Sequence, residues 1–130
     1  MQIERKKLVT KLDRLCRQIL LIRDQYLKGF FKCISRGRIL PINRAQVGHF
    51  ISRRYESVRW DFRNISLQCS SCNGPYGKGN LIEYRKSLVK KIGKAEVERM
   101  ELFYRETPHY SAFDLLQKVK EYQEILKEYH

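Results

Sequence analysis

Two cysteines separated by two residues, Cys69 and Cys72, leave this chain few ways to fold around them. That spacing lets the backbone N–H groups of a tight knuckle turn both thiolates toward one Zn²⁺. One such pair is half a site. The usual complement is a second pair from a distant hairpin; Cys33 stands where its first member belongs, and Arg36 holds the partner's position. Three thiolates, Cys33, Cys69 and Cys72, are therefore the expected metal ligands, with the fourth ligand a water, a side chain brought in by folding, or absent. The sequence shows no signal-type amino end, so its four cysteines are better read as thiols or metal ligands than as disulfides. Cys16 is expected to be a small buried hydrophobe on a helix.

Around the knuckle the pattern changes twice. Leu8, Leu12, Leu15, Ile19, Ile22 and Tyr26 recur in steps of three and four, which predicts one long helix over Ile3–Lys28, with Gly29 stopping it. From Phe30 the periodicity becomes short and strand-like: Phe30–Ile34, Arg38–Leu40, Gln46–Ile51 and Ile65–Gln68. Asn80 with Glu83 suggests a capping box opening a helix over Leu81–Ile92, ended by Gly93. Ala95–Glu106 reads as another helix, broken at Thr107-Pro108, and Ser111 with Asp114 as a second box opening Ala112–Tyr129. Phe113, Leu116, Val119, Tyr122, Ile125 and Leu126 then form a packing or dimer surface.

At roughly 150 residues per domain, 130 residues predict one domain. Its parts are an amino-terminal helix (1–29), a central core (30–93) and carboxyl-terminal helices (94–130), an α+β class.

Charge is distributed unevenly. Residues 1–60 hold 15 basic and 4 acidic side chains, whereas residues 94–130 hold 6 and 8, within a net charge of +13. A basic front on a neutral back reads as a nucleic-acid face. A membrane surface is the rival, but the longest apolar run, Ile19–Ile22, falls far short of the about 20 residues a span needs. A soluble, intracellular protein without a membrane partner is expected. Arg36, Arg38, Arg44, Arg53, Arg54, Arg59 and Arg63 crowd into 28 residues and are the expected DNA-phosphate contacts. Tyr55, Trp60 and Tyr76 could stack on unpaired bases, but no spacing rule supports this and core packing is preferred. His109 and His130 read as surface residues. Nothing encodes base-sequence readout, so recognition of shape or branching fits better.

Six ordered elements carry a resemblance: Cys33-x-x-x-Gly37, Gly48-His49-Phe50-Ile51-Ser52-Arg53, Arg59-Trp60-Asp61-x-x-Asn64, Gln68-Cys69-x-x-Cys72-Asn73, Gly79-Asn80-x-x-x-Tyr84 and Leu88-Val89-x-x-Ile92-Gly93. Together they resemble the phage recombination protein NinG (Rap) family, a branch of the HNH or His-Me finger nucleases, over about half the chain. The resemblance implies a central ββα-metal core with the zinc knuckle as a clamp beside it. It makes His49 the general base, Asn73 a ligand of the catalytic metal, and Asn64 the amide that braces the loop and positions the histidine. The implied activity is Mg²⁺- or Mn²⁺-dependent cleavage of branched or recombining DNA in a phage or prophage setting, in the bacterial cytoplasm, by a possible homodimer.

Three positions depart from the pattern. Arg36 replaces the second cysteine, Gly48 stands where many superfamily members place a metal-binding Asp, and Ser66 stands where relatives often have His. They motivate a second expectation, a DNA-binding recombination accessory with a degenerate HNH zinc domain and no catalysis. A third is an RNA-binding zinc module.

Overall fold

The chain opens with an amphipathic helix, and what it buries sets the architecture. In the computed structural model, which describes residues 2–106 and 109–129, helix α1 spans Gln2–Arg23. Its buried stripe is Leu12, Leu15, Cys16, Ile19 and Leu20. The last helix, α6 (Ala112–Glu128), lies along it and contributes Leu115, Val119 and Tyr122 to the same apolar cluster. The carboxyl-terminal apolar stripe is thus used within the chain, while Phe113 and Leu116 remain exposed.

Helix α1 stops at Arg23, short of the predicted Lys28. Gln25 ties the helix end to the following turn: its Nε2 donates to the Leu21 carbonyl and its Oε1 accepts from Gly29 N–H. Gly29 takes a positive φ of 87° and serves a hairpin instead of a helix cap. Strands β1 (Gln25–Leu27), β2 (Phe30–Lys32) and β3 (Ile39–Pro41) then form an antiparallel sheet. Tyr26 leaves the helical stripe and joins this sheet because strand pairing with β2 outweighs continued helical periodicity.

A 3₁₀ turn, Ile42–Arg44, leads to strand β4 (Gln46–His49), which pairs antiparallel with β5 (Ile65–Gln68) in the register Gln46↔Gln68 to His49↔Ile65. The intervening loop contains one helical turn, α2 (Glu56–Arg59), where no helix was expected. Buried Glu56 anchors it: its carboxylate meets Arg5 of α1 at 2.5 Å and His109 at 2.9 Å, and accepts the Tyr110 N–H.

The knuckle is a short helix, α3 (Ser70–Asn73). Helices α4 (Leu81–Ile92) and α5 (Lys94–Phe103) follow and close a second apolar cluster of Phe50, Val58, Tyr84, Leu88, Val97 and Met100. The predicted Ser111–Asp114 capping box is present. The one predicted at Asn80 is not: Asn80 adopts a left-handed conformation with no side-chain cap, because its amide donates to the Cys72 sulfur and Glu83 pairs with Lys86. Thr107-Pro108 and His130 lie outside the described residues. No helix among the described residues is long and apolar enough to cross a membrane.

Candidate active site and thiolate cluster

The β4–β5 hairpin carries a different group of side chains at each end. At the Gln46/Gln68 end, β5 runs into Cys69, which begins the α3 turn closed by Asn73 N–H donating to the Cys69 carbonyl at 2.9 Å. The turn is tight enough that a Cβ on Gly77 would collide with the Ser71 and Cys72 carbonyls, so only glycine fits there. Cys33 follows β2 and opens a second turn, in which Gly37 N–H donates to the Cys33 carbonyl at 2.8 Å. The two turns bring Cys33, Cys69 and Cys72 together, all buried, with sulfurs within 4.8 Å of one another. Tetrahedral Zn–S bonds of about 2.3 Å would set sulfurs about 3.8 Å apart. The donor set therefore fits a thiophilic metal. Among the described residues no fourth Cys, His or carboxylate joins the group. Arg36 is exposed and makes no ion pair among them.

Hydrogen-bond donors converge on the three sulfurs. Cys69 N–H donates to Cys33 Sγ (3.4 Å), Asn80 Nδ2 donates to Cys72 Sγ (3.5 Å), and the Ser71 hydroxyl lies 3.2 Å from Cys69 Sγ. Burial alone would raise the Cys69 thiol, but bonds from Ser71, the Cys72 backbone and the thiols of Cys72 and Cys33 bring it down to about 7. Burial, helped by the neighbouring Cys69 and Cys33 sulfurs and opposed by the Asn80 amide, pushes Cys72 up to about 11. Isolated Cys16 is pushed up to about 12, chiefly by burial, so its thiol stays protonated.

His49 sits at the other end of the hairpin, half-buried in a cleft of about 210 Å³ lined by Asp13, Cys16, Arg17, Gln46, Val47, Arg53 and Arg59. Its Nε2 lies 2.9 Å from the Arg59 carbonyl. A carbonyl can only accept, so Nε2 carries the hydrogen and Nδ1 of the neutral ring keeps its lone pair. Burial holds the imidazole below the usual histidine range. The Arg59 carbonyl and Asp13 oppose that shift, and the charges of Arg59 and Arg53 reinforce it.

Asn64 is fully buried and ties the loop to itself. Its Oδ1 accepts Ile51 N–H at 2.8 Å, and its Nδ2 donates to the Ile51 and Val58 carbonyls at 3.0 and 3.1 Å. Tyr84 locks the same hairpin end from α4, its hydroxyl donating to the Gly48 carbonyl at 2.8 Å. Asn73 Nδ2 donates to Gln46 Oε1 at 2.9 Å, which places this amide beside the cleft through Gln46 and leaves Oδ1 as a free acceptor.

The seven arginines divide. Arg36, Arg38, Arg44, Arg53 and Arg54 are exposed, and none makes an ion pair among the described residues. Arg59 instead grips Asp13 with Nε and Nη2 (3.1 and 2.7 Å), and Arg63 binds Asp61 and Glu96, both at 2.7 Å. Of the three aromatics considered for stacking, Trp60 is 2% exposed and donates Nε1 to Asp13, Tyr55 packs edge-on against Tyr104, and Tyr76 is fully exposed.

Two departures acquire physical reasons. A Cβ at position 48 would collide with the Gln68 amide, so an Asp cannot occupy it without displacing that side chain. Ser66 is buried and accepts from Lys91 Nζ at 3.3 Å. Sequence reasoning missed Asp13, Arg17 and Gln46. Asp13 and Arg17 reach the cleft from α1, and the only sequence signal was Asp13 itself, one of three acids in the first 55 residues.

Comparison with known proteins gives this arrangement a family. The model of the Bacteriophage Lambda NinG protein family matches residues 3–130. The ninG protein of Salmonella phage P22 is 34% identical over 98 residues, covering 74% of this chain and 46% of the relative. That of Escherichia phage lambda is 32% identical over 98 residues, with the same coverage of 74% and 46%. That of Enterobacteria phage H19B is 36% identical over 70 residues, covering 53% of this chain and 34% of the relative. This chain belongs to the NinG family of phage recombination-related proteins. It spans less than half the length of these curated relatives. No solved structure matches it significantly.

Proposed function

We propose that this chain is a metal-dependent endonuclease of the HNH, or His-Me finger, class that nicks branched DNA. In this reading the chain is one folding unit, the β4–β5 hairpin with the turn and helix behind it is the ββα-metal element, and zinc on Cys33, Cys69 and Cys72 clamps its base. The observation that carries the reading is His49: a neutral imidazole whose Nε2–H is held by a backbone carbonyl and whose Nδ1 is unengaged in a cleft walled by Arg17, Arg53 and Arg59.

Hydrolysing a phosphodiester requires a base for water and positive charge around the phosphate. His49 Nδ1 takes the proton from water. Asn64 fixes the loop that presents the Arg59 carbonyl, and so the tautomer. Arg53 and the exposed arginines attract and hold the backbone phosphates. Asn73 Oδ1 would help hold Mg²⁺ or Mn²⁺, which when bound supplies charge neutralisation at the phosphate and leaving oxygen. The DNA partner, the homodimer and a site of action in the cytoplasm of a phage-infected bacterium belong to the same reading.

A second reading, the non-catalytic accessory, rests on one observation. Asp13, the only carboxylate lining the cleft among the described residues, already accepts from Arg59 at both oxygens and from Trp60 at Oδ1, and so has little left to offer a metal. One experiment separates the two. With Mg²⁺ or Mn²⁺ the purified protein should nick a four-way junction, and His49→Ala should abolish nicking while junction binding persists. Salt-sensitive binding without cleavage under any divalent ion favours the accessory, and equal cutting by both proteins removes His49 as base.

A further inference from the structure

The β1–β2–β3 sheet is absorbed by neither the thiolate cluster nor the cleft, and its composition is unusual. Phe31 points inward and is fully buried, so its neighbours on β2, Phe30 and Lys32, face outward. Pairing sets Leu27 and Pro41 opposite Phe30, and Ile39 opposite Lys32. Lys32 Nζ lies 5.4 Å from the Tyr26 ring centroid, which puts Tyr26 on the same outer face. Tyr26, Leu27, Phe30 and Ile39 are 52%, 58%, 42% and 48% exposed. Two exposed aromatic rings and two exposed aliphatic side chains on one face of a three-stranded sheet form a contiguous apolar patch that suits a partner with flat apolar faces.

Charge identifies that partner. Residues 25–55 contain no Asp or Glu and seven Lys or Arg. Four of these, Lys28, Lys32, Arg36 and Arg38, lie on the sheet or its connecting turns, and Arg44 lies in the 3₁₀ turn that follows it; all five are exposed and make no ion pair among the described residues. Aromatic faces bordered by uncompensated cations suit a strand with a phosphate backbone and unstacked bases, since every base offers a π-face and every phosphate a charge. Duplex DNA hides its bases from such a face.

We propose that the outer face of the β1–β2–β3 sheet binds unpaired single-stranded DNA, with Tyr26 and Phe30 stacking on successive bases and Lys32, Arg36 and Arg38 following the phosphates. The site shares no lining residue with the His49 cleft. It deepens the endonuclease reading by assigning recognition of the unpaired strand at a branch, and rests on that reading only for this role. The binding itself stands alone.

The test uses the full chain and a fluorescently labelled dT20 oligonucleotide, with anisotropy read across a salt series. Tyr26→Ala and Phe30→Ala should each weaken dT20 binding about tenfold, and the double substitution more, with an unchanged far-ultraviolet circular dichroism spectrum. Tyr26→Phe should restore binding, whereas Tyr26→Leu should not, because a ring and not mere apolar bulk is required. Binding of a blunt duplex should be affected far less than binding of dT20. Wild-type dT20 affinity in the double variant overturns the proposal, as does tighter binding of rU20 than dT20, or preference for vesicles of anionic phospholipid. None of these outcomes bears on nicking by His49, which the junction assay reports separately.

Discussion

The thiolate cluster and the histidine cleft share one β-hairpin and differ in almost everything else. The register puts the cysteines beyond the Gln46/Gln68 end and His49 three residues further along β4, about 10 Å away at strand rise. At the first end, three buried sulfurs engage their own surroundings through Cys69 N–H, Ser71 and Asn80. At the second, an acceptor is left over: Nδ1 of His49, in a partly open cleft with cationic walls. A site whose groups satisfy one another holds a fold together. One with an unspent acceptor in a field of the sign opposite to a phosphate has the chemistry that the proposed nuclease reading asks of it.

That contrast breaks most readily under two substitutions. His49→Ala should lower junction nicking by about 10²–10⁴-fold and leave the melting temperature nearly unchanged, since the ring contributes one backbone hydrogen bond from a half-exposed position. Cys69→Ser should do the reverse in kind. Bound zinc measured by elemental analysis should fall, and stability should drop by more than about 4 kcal/mol, the range associated with losing a metal from a fold. A Cys69→Ser protein that melts and binds metal like wild type would show that the cluster is not a clamp. Early melting of His49→Ala would show that the cleft is structural after all.

Local chemistry was legible in the sequence, and long-range chemistry was not. The Cys-x-x-Cys spacing, β5, the extent of α4 and the Ser111–Asp114 cap depend on residues within a few positions of one another, and each appears as expected. The end of α1 does not, because Tyr26 satisfies the helical period and the competing strand pairing comes from β2. Asn80 likewise meets the capping pattern, but its amide finds a sulfur eight residues away. The His49 cleft was legible only on one side. His49, Arg53 and Arg59 belong to contiguous motifs, whereas Asp13 and Arg17 reach it from α1, more than 30 residues earlier. Nothing in the spacing of a helix announces which strand it will cover.

Asp13 sharpens the comparison from that missed side. It holds the Arg59 guanidinium, and the Arg59 carbonyl holds the His49 ring, so under the proposed nuclease reading Asp13 is a positioning residue two contacts from the base. Asp13→Asn keeps an oxygen for the Trp60 indole but loses the ionic grip on Arg59. The expected loss in nicking is about ten- to hundredfold, the scale of a small misplacement of a catalytic group. A purely structural role would change stability alone. The distinguishing readout is the pH profile: Asp13 opposes the depression of the His49 pKa, so its removal should move the acid limb of the rate to lower pH.

Arg53→Gln should shift the same limb the other way with the smallest effect on rate. If His49 is the base, its active form is the neutral ring, so activity should fall as pH falls through the His49 pKa, which burial keeps below the ordinary histidine value of 6.5. Arg53 adds to that depression because a cation beside the ring disfavours a second positive charge. Removing it makes protonation easier, raises the pKa and moves the acid limb to higher pH. At pH 8, where the ring is neutral in both proteins, the rates at saturating DNA should nearly coincide. The residual difference should lie in binding, with the slope of log affinity against log salt reduced by about 0.9 for one lost phosphate contact. An acid limb that stays in place in Arg53→Gln while moving in Asp13→Asn would mean that the cleft's cations serve the DNA alone, and that the neutrality of His49 comes from burial.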